Sequence, residues 1–140
     1  MRAGARKPSG VAAVIEVGTT SARMAVGQRG ADGRLVLLDS LERTLELWRD
    51  TFTSETISHG GMEQGIAAVR AFLDALRPYR LAPGQVRIVA TSAVREARNG
   101  IDFVDRVRIA TGARMEVLDE AYISRLTYLA VRQQLAAQRF

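Results

Sequence analysis

The order of apolar patterns along this chain predicts an α/β domain on a five-stranded mixed sheet, a three-strand antiparallel meander plus two parallel strands, with helices on both faces. Three observations predict it. Strand-length apolar runs joined by glycine turns fill residues 11–41. A stripe at helical spacing follows, and short apolar runs then alternate with amphipathic segments to the end. With 140 residues, 47% apolar and 25% charged, the chain can bury one core and fold without staples.

Val11 to Val17 is apolar apart from Glu16, which suits a central strand buried on both faces. Ala22, Met24 and Val26 alternate with Arg23, Ala25 and Gly27 as a second strand, and Leu35 to Leu41 is the third. Between these two, Gly30 and Asp32-Gly33 can take positive φ in a turn. Glu42 to Gly60 holds no period and reads as an ordered loop. Helical spacing runs from Met62 through Ile66, Val69, Leu73 and Leu76 until Pro78 and Pro83-Gly84 end it. Val86 to Ala90 is a fourth strand, and TSAVREARNG is a polar loop or short helix. Phe103, Val107 and Ala110 mark another amphipathic segment closed by Gly112, Met115 to Leu118 is a fifth strand, and a last helix is expected from about Asp119 to Gln138. Helices between the later strands require crossovers, so strands four and five should run parallel to the first. That order is the ribonuclease H-like unit that makes half of the actin-like ATPase fold.

Twenty basic against fifteen acidic residues give a net charge of +5, part of it in residues 1–10, a basic Gly/Ala/Pro/Ser tail expected to be disordered. Residues 11–140 form the domain. The other arginines are scattered with few aromatics among them, which argues against nucleic acid and fits an acidic or phosphate-bearing ligand. No apolar run nears the ~20 residues a bilayer span needs, and the tail lacks a secretory apolar stretch, so a cytoplasmic home and no membrane partner are expected. Without cysteine, and with one histidine, any metal would be held by oxygen.

The stretch VIEVGTTSARMAV interrupts an apolar run with one carboxylate, a glycine and three hydroxyl residues. At a turn beside the strand ends, Gly18 lets backbone approach a phosphate, and the N–H groups and hydroxyls of Thr19, Thr20 and Ser21 can donate to it. Glu16 could hold a Mg²⁺ directly or through water. The competing reading is a plain hairpin turn with Glu16 paired to an arginine.

A second stretch, VATSAVREARNGIDFVDRV, resembles a segment of the exopolyphosphatase and guanosine pentaphosphate phosphatase family, where a strand leads into T-S-A-x-R-E-A-x-N before a helix. VIEVGTTSAR is similar to that family's first phosphate loop, D-x-G-S-N-S-x-R. LDEAYISRLTYLAV resembles its S-G-x-E-E-A-R-L-x-Y-L-G-V. The three keep the family's order and spacing and cover about residues 11 to 131. The resemblance implies the amino-terminal domain of a Mg²⁺-assisted hydrolase that removes terminal phosphate from polyphosphate or guanosine pentaphosphate. It also implies that Gly18, Thr19, Thr20 and Ser21 line a phosphate loop and that Arg95 contacts a phosphate. A guanidinium suits that role because it is always charged and forks onto phosphate oxygens. Thr91 and Ser92 would add hydroxyls, while Glu96 would orient Arg95 or cap the next turn. Asn99 is expected to be an N-cap.

Departures from the family pattern oppose full activity. Its first-loop aspartate is Glu16 here and its asparagine is Thr20. Its R-L-G stretch appears as Glu46-Leu47-Trp48, an anion for a cation. Its paired glutamates, which supply the water-activating carboxylate, fall on Tyr122 and Ile123, neither of which can act as a general base. Glu120 is the remaining candidate base, although Asp119 and Glu120 also fit as first-turn acids favoured by the helix dipole. The family's second domain, with a further phosphate loop, is absent from the sequence in hand. Impaired catalysis is therefore expected. Two alternatives stand beside it: a non-catalytic remnant binding polyphosphate or a partner protein, and a sugar-kinase-type half-domain, which GTTSAR fits and TSAVREARN does not. A homodimer is expected, a second copy covering the apolar face where the family's second domain would sit.

Overall fold

Alternation sets the first two strands. In Val11–Val17 (β1) the side chains of Ala13, Ile15 and Val17 are buried, and in Ser21–Arg29 (β2) those of Ala22, Met24 and Val26 are, all six at 2% exposure or less. The two strands pair antiparallel, with Ile15 opposite Met24, so both apolar rows face the same way. A computed structural model supplies these coordinates and describes residues 10–47, 49, 54–122 and 125. Leu35–Thr44 (β3) joins β2 antiparallel, while Val86–Ala90 (β4) and Met115–Val117 (β5) add parallel on the other side of β1, giving the order β3-β2-β1-β4-β5. The predicted five-stranded mixed sheet is therefore present. In the β2–β3 turn only Gly33 has positive φ, at 81°; Gly30 and Asp32 do not.

Two long helices follow the predicted crossovers. His59–Leu76 (α1) buries Met62, Ile66, Val69, Phe72 and Leu76, so of the expected stripe Leu73 is only partly buried and Phe72 joins it in the core. It begins three residues before Met62 because the Ser58 hydroxyl accepts from the Gly61 N–H at 3.0 Å and caps the first turn. Gly100–Thr111 (α3) buries Phe103 and Val107, leaves Ala110 exposed, and stops at Gly112 in the left-handed conformation. Ser92–Glu96 (α2) is a five-residue helix between β4 and α3. Gly65 of α1 lies against Phe103 of α3, where an added Cβ would come 2.5 Å from the ring.

Both long helices pack on one face of the sheet. Burial of β1 on both faces is accordingly not observed: Val14 is 44% exposed and Glu16 points outward. The opposite face carries Arg87, the register partner of Val14, which pairs with Glu116 across β4 and β5. The Glu116 hydrogen bond, and then one from Tyr122, push the Arg87 guanidinium further above its usual range. Residues 120–122 are helical, so the last helix begins on this second face. The rest of the segment expected to be the last helix, and residues 1–9 of the tail, lie outside the described residues. Among the described residues no helix is long and apolar enough to cross a membrane.

Candidate phosphate-binding edge

Parallel pairing lines up three strand ends. Val17, Ala90 and Val117 share one row, so the chain leaves β1, β4 and β5 side by side. At a strand spacing of about 4.8 Å, this edge is on the order of 10 Å across. Such a carboxyl-terminal edge is where open α/β sheets take ligands. The turn 18–20, the helix α2 and residues 118–120 all rise from it. Glu16, Gly18, Thr19, Thr20, Ser21, Arg95 and Glu120 therefore belong to one edge.

At β1 the hairpin closes through the Gly18 N–H, which donates to the Ser21 carbonyl at 2.9 Å, while the Thr20 carbonyl accepts from Leu45 at 2.8 Å. The Gly18 N–H is thus taken by the hairpin, which leaves the expected donors at the neighbouring residues. Among the described residues, the N–H groups of Thr19 and Thr20 and the hydroxyls of Thr19, Thr20, Ser21, Thr91 and Ser92 make no hydrogen bond to protein. A Cβ on Gly18 would sit 3.6 Å from Glu16 Oε1 and 3.8 Å from Thr91 Oγ1, so the carboxylate and the hydroxyl flank the same glycine. The bare Cα of Gly18 leaves space between them.

Arg95 is placed by its own backbone and by β5. Thr91 N–H donates to Val17 O at 3.1 Å, Arg95 N–H donates to Thr91 O at 3.0 Å, and Arg95 Nη1 donates to Leu118 O at 3.1 Å. These bonds link the ends of β1, β4 and β5 in sequence. The Arg95 side chain is 26% exposed, and its contact with the exposed Glu96 is a loose 3.7 Å. It is therefore an anchored, half-buried cation rather than a surface ion pair. The arginine nearest to Glu16 in register, Arg23, pairs with Glu42 at 3.7 Å. The plain reading in which an arginine neutralises Glu16 is not realised among the described residues.

The base candidates divide. Asp119 Oδ1 accepts from the Tyr122 N–H at 2.6 Å, the bond of a capping acid. Glu120 is exposed in the first helical turn, and Tyr122 is engaged with Arg87 on the sheet face. Glu46 pairs with Arg49 at 3.2 Å, Leu47 is core at 1% exposure, and Trp48 lies outside the described residues.

For a metal, Glu16 is the carboxylate beside Gly18 and its hydroxyl neighbours, and no group of three or more acidic or histidine side chains gathers among the described residues. That donor set does not cage an ion by itself. It fits Mg²⁺, which typically keeps waters and takes one or two carboxylates plus the phosphates of its ligand.

Asn99 is a correction. It stands at the N-cap position of α3 but its side chain makes no cap bond. Instead Oδ1 accepts from Ile57 N at 2.9 Å and Nδ2 donates to Ile57 O at 2.8 Å, clamping a backbone segment 42 residues away. Arg98 reinforces it, donating its N–H to Glu55 O at 2.8 Å and pairing with the Glu55 carboxylate at 2.9 Å. The motif's asparagine thus ties the segment before α1 to the one before α3. An N-G pair ahead of a helix was its only local signal, and that signal also fits a cap.

A surface cleft of roughly 350 Å³ lined by Arg70, Leu73, Asp74, Arg77, Ala110 and Thr111 lies elsewhere. Both helices that line it run away from the Val17–Ala90–Val117 row, so it opens at the far edge. Arg77 there is matched by Asp74 at 3.2 Å, and Arg70 is spent on the carbonyl of Ala110.

The comparisons with known proteins agree with the sheet and the family resemblance. The family model described as the Ppx/GppA phosphatase family matches residues 26–140. Exopolyphosphatase 1 of Mycobacterium leprae is 32% identical over 120 residues, which is 86% of this chain and 35% of that protein. Exopolyphosphatase 1 of Mycobacterium tuberculosis is 32% identical over 122 residues, covering 86% of this chain and 34% of its own length. The crystal structure of the Aquifex aeolicus Ppx/GppA family member superposes with a TM-score of 0.80 at 27% identity, over 89% of this chain and 40% of that one. The chain spans about a third of the curated relatives it matches.

Proposed function

Since this chain belongs to the Ppx/GppA phosphatase family, we propose that its strand-end edge binds the phosphates of an inorganic polyphosphate or a guanosine pentaphosphate, with hydrolysis weak or absent. One observation carries this reading. The uncommitted N–H groups of Thr19 and Thr20 and the hydroxyls of Thr19, Thr20, Ser21, Thr91 and Ser92 share the strand-end edge with the anchored guanidinium of Arg95, and Thr91 Oγ1 flanks Gly18. Donors without protein acceptors at one edge suit an anion with many oxygens.

In this reading the Thr19 and Thr20 amides and the hydroxyls hold the terminal phosphate, and Arg95 takes its outer oxygens while Leu118 fixes the guanidinium plane. Glu16 would repel that phosphate unless a cation stood between them, which is the role we assign to Mg²⁺. When bound, the ion would neutralise phosphate charge and draw electrons from the anhydride bond. Hydrolysis would need water to attack the terminal phosphorus in line, giving inorganic phosphate and a chain one phosphate shorter. A base must take the water's proton. Asp119 is committed to capping, Tyr122 is a phenol engaged with Arg87 where the family has a carboxylate, and Glu120 is left. Those engagements favour binding without turnover. The absence of cysteine fits a cytoplasmic site of action.

A phosphate-release assay with polyphosphate and Mg²⁺, run beside a binding titration, tests this reading. Salt-dependent binding with little or no released phosphate is expected. Rapid release would overturn the assignment of weak activity, and absence of binding would overturn the site.

A further inference from the structure

Among the described residues the outer edge of the sheet is β3, which pairs with β2 on one side only. Its apolar side chains are open to solvent: Leu35 is 67% exposed, Leu37 64% and Leu41 42%. A ten-residue edge strand with free backbone groups and apolar side chains is a template for another strand. A bulge limits where that strand can lie. The register passes from Val26 opposite Asp39 to Gly27 opposite Leu37, which leaves Leu38 unpaired and breaks the alternation there.

Beyond the bulge, residues 39–44 alternate without interruption. Asp39, Leu41 and Arg43 are the register partners of Val26, Met24 and Ala22, so they share the helix-bearing face, while Ser40, Glu42 and Thr44 take the other. The order on the first face is acid, leucine, base. Read in reverse it becomes base, leucine, acid, so this face is complementary to itself in an antiparallel pair.

We propose that β3 pairs antiparallel with β3 of a second copy of this chain across a two-fold axis at Leu41. Residues directly opposite in such a pair share a face. Leu41 then meets Leu41, Asp39 of each copy faces Arg43 of the other, and Ser40 faces Glu42. Arg43 has no ion pair among the described residues and is available for this one. Neighbouring face-preserving registers are worse: one sets Asp39 against Asp39, one sets Glu42 against Glu42, and one sets Asp39 against Leu41. The charges therefore select both the partner and the register, and the two sheets become one of ten strands.

Sedimentation or light scattering on the full chain tests this, using Arg43→Asp, Asp39→Arg and the double variant. The unaltered chain is expected to have the mass of two chains. Either single reversal sets like charges opposite each other twice and is expected to raise the dimer dissociation constant at least about a hundredfold, giving one chain. The double variant restores complementarity and is expected to return to two chains. Asp39 also accepts from the Tyr79 hydroxyl at 3.4 Å, so Arg43→Asp, which keeps that bond, is the cleaner single reversal, with a circular dichroism melt confirming its fold. A monomeric unaltered chain, an assembly larger than two, a dimer indifferent to both single reversals, or a folded double variant that stays monomeric would each overturn the proposal.

Discussion

Gly100→Ala is expected to lower the melting temperature by roughly 10 °C, from a cost of about 3 kcal/mol or more. A Cβ at residue 100 would lie 2.1 Å from the Val94 carbonyl oxygen and 3.2 Å from its carbon. Neither side can yield cheaply. Val94 is 2% exposed within α2, and Gly100 is held by its own N–H on Ala97 O at 3.1 Å and by the Asn99 clamp on Ile57. Gly100 does not have positive φ, so lack of space is the whole obstacle. The gain in helix propensity from glycine to alanine, about 1 kcal/mol at most, is smaller than the clash. Gly84→Ala is the matched control, because nothing lies within 4 Å of its added Cβ and its φ is ordinary. Thermal denaturation followed by circular dichroism reads both, and Gly84→Ala should melt with the unaltered chain.

Arg95→Ala is expected to weaken polyphosphate binding tenfold or more. A charged hydrogen bond to phosphate is worth about 1.5–3 kcal/mol, and 1.4 kcal/mol is a factor of ten. The substitution also removes the tie to Leu118, which costs about 1 kcal/mol of stability and loosens the end of β5. Arg95→Lys separates the two contributions: it keeps the charge but loses the fork, so binding should fall between alanine and arginine. Arg106→Ala removes an exposed arginine of α3 with the same change in net charge and should leave binding close to unaltered. Titration calorimetry at low and high salt measures all three, and the loss at Arg95 should be largest at low salt.

The strands were legible because a period of two with glycine turns admits few other folds; β4 runs from Val86 to Ala90 as its apolar run indicates. Ends set by tertiary partners were not. β3 continues past Leu41 to Thr44 because β2 supplies partners for Glu42, Arg43 and Thr44, although those polar residues carry no strand pattern of their own. The start of α1 was hidden by Gly60 and Gly61, poor helix formers overridden by the Ser58 cap. Within the candidate edge, local chemistry pointed to the hydroxyls and the family resemblance to Arg95, and parallel pairing accounts for their sharing one edge. The carbonyl of Leu118 that fixes Arg95, and the backbone of Ile57 that occupies Asn99, lie 23 and 42 residues away and leave no local trace.

Two-dimensional amide NMR spectra of the chain, titrated with polyphosphate in the presence of Mg²⁺, test the central claim most directly. Saturable shifts concentrated at Thr19, Thr20, Ser21 and Arg95, with the amides near Arg70 and Arg77 at the far cleft unmoved, are the predicted result. Shifts confined to that cleft, or spread evenly over the exposed arginines, would contradict it.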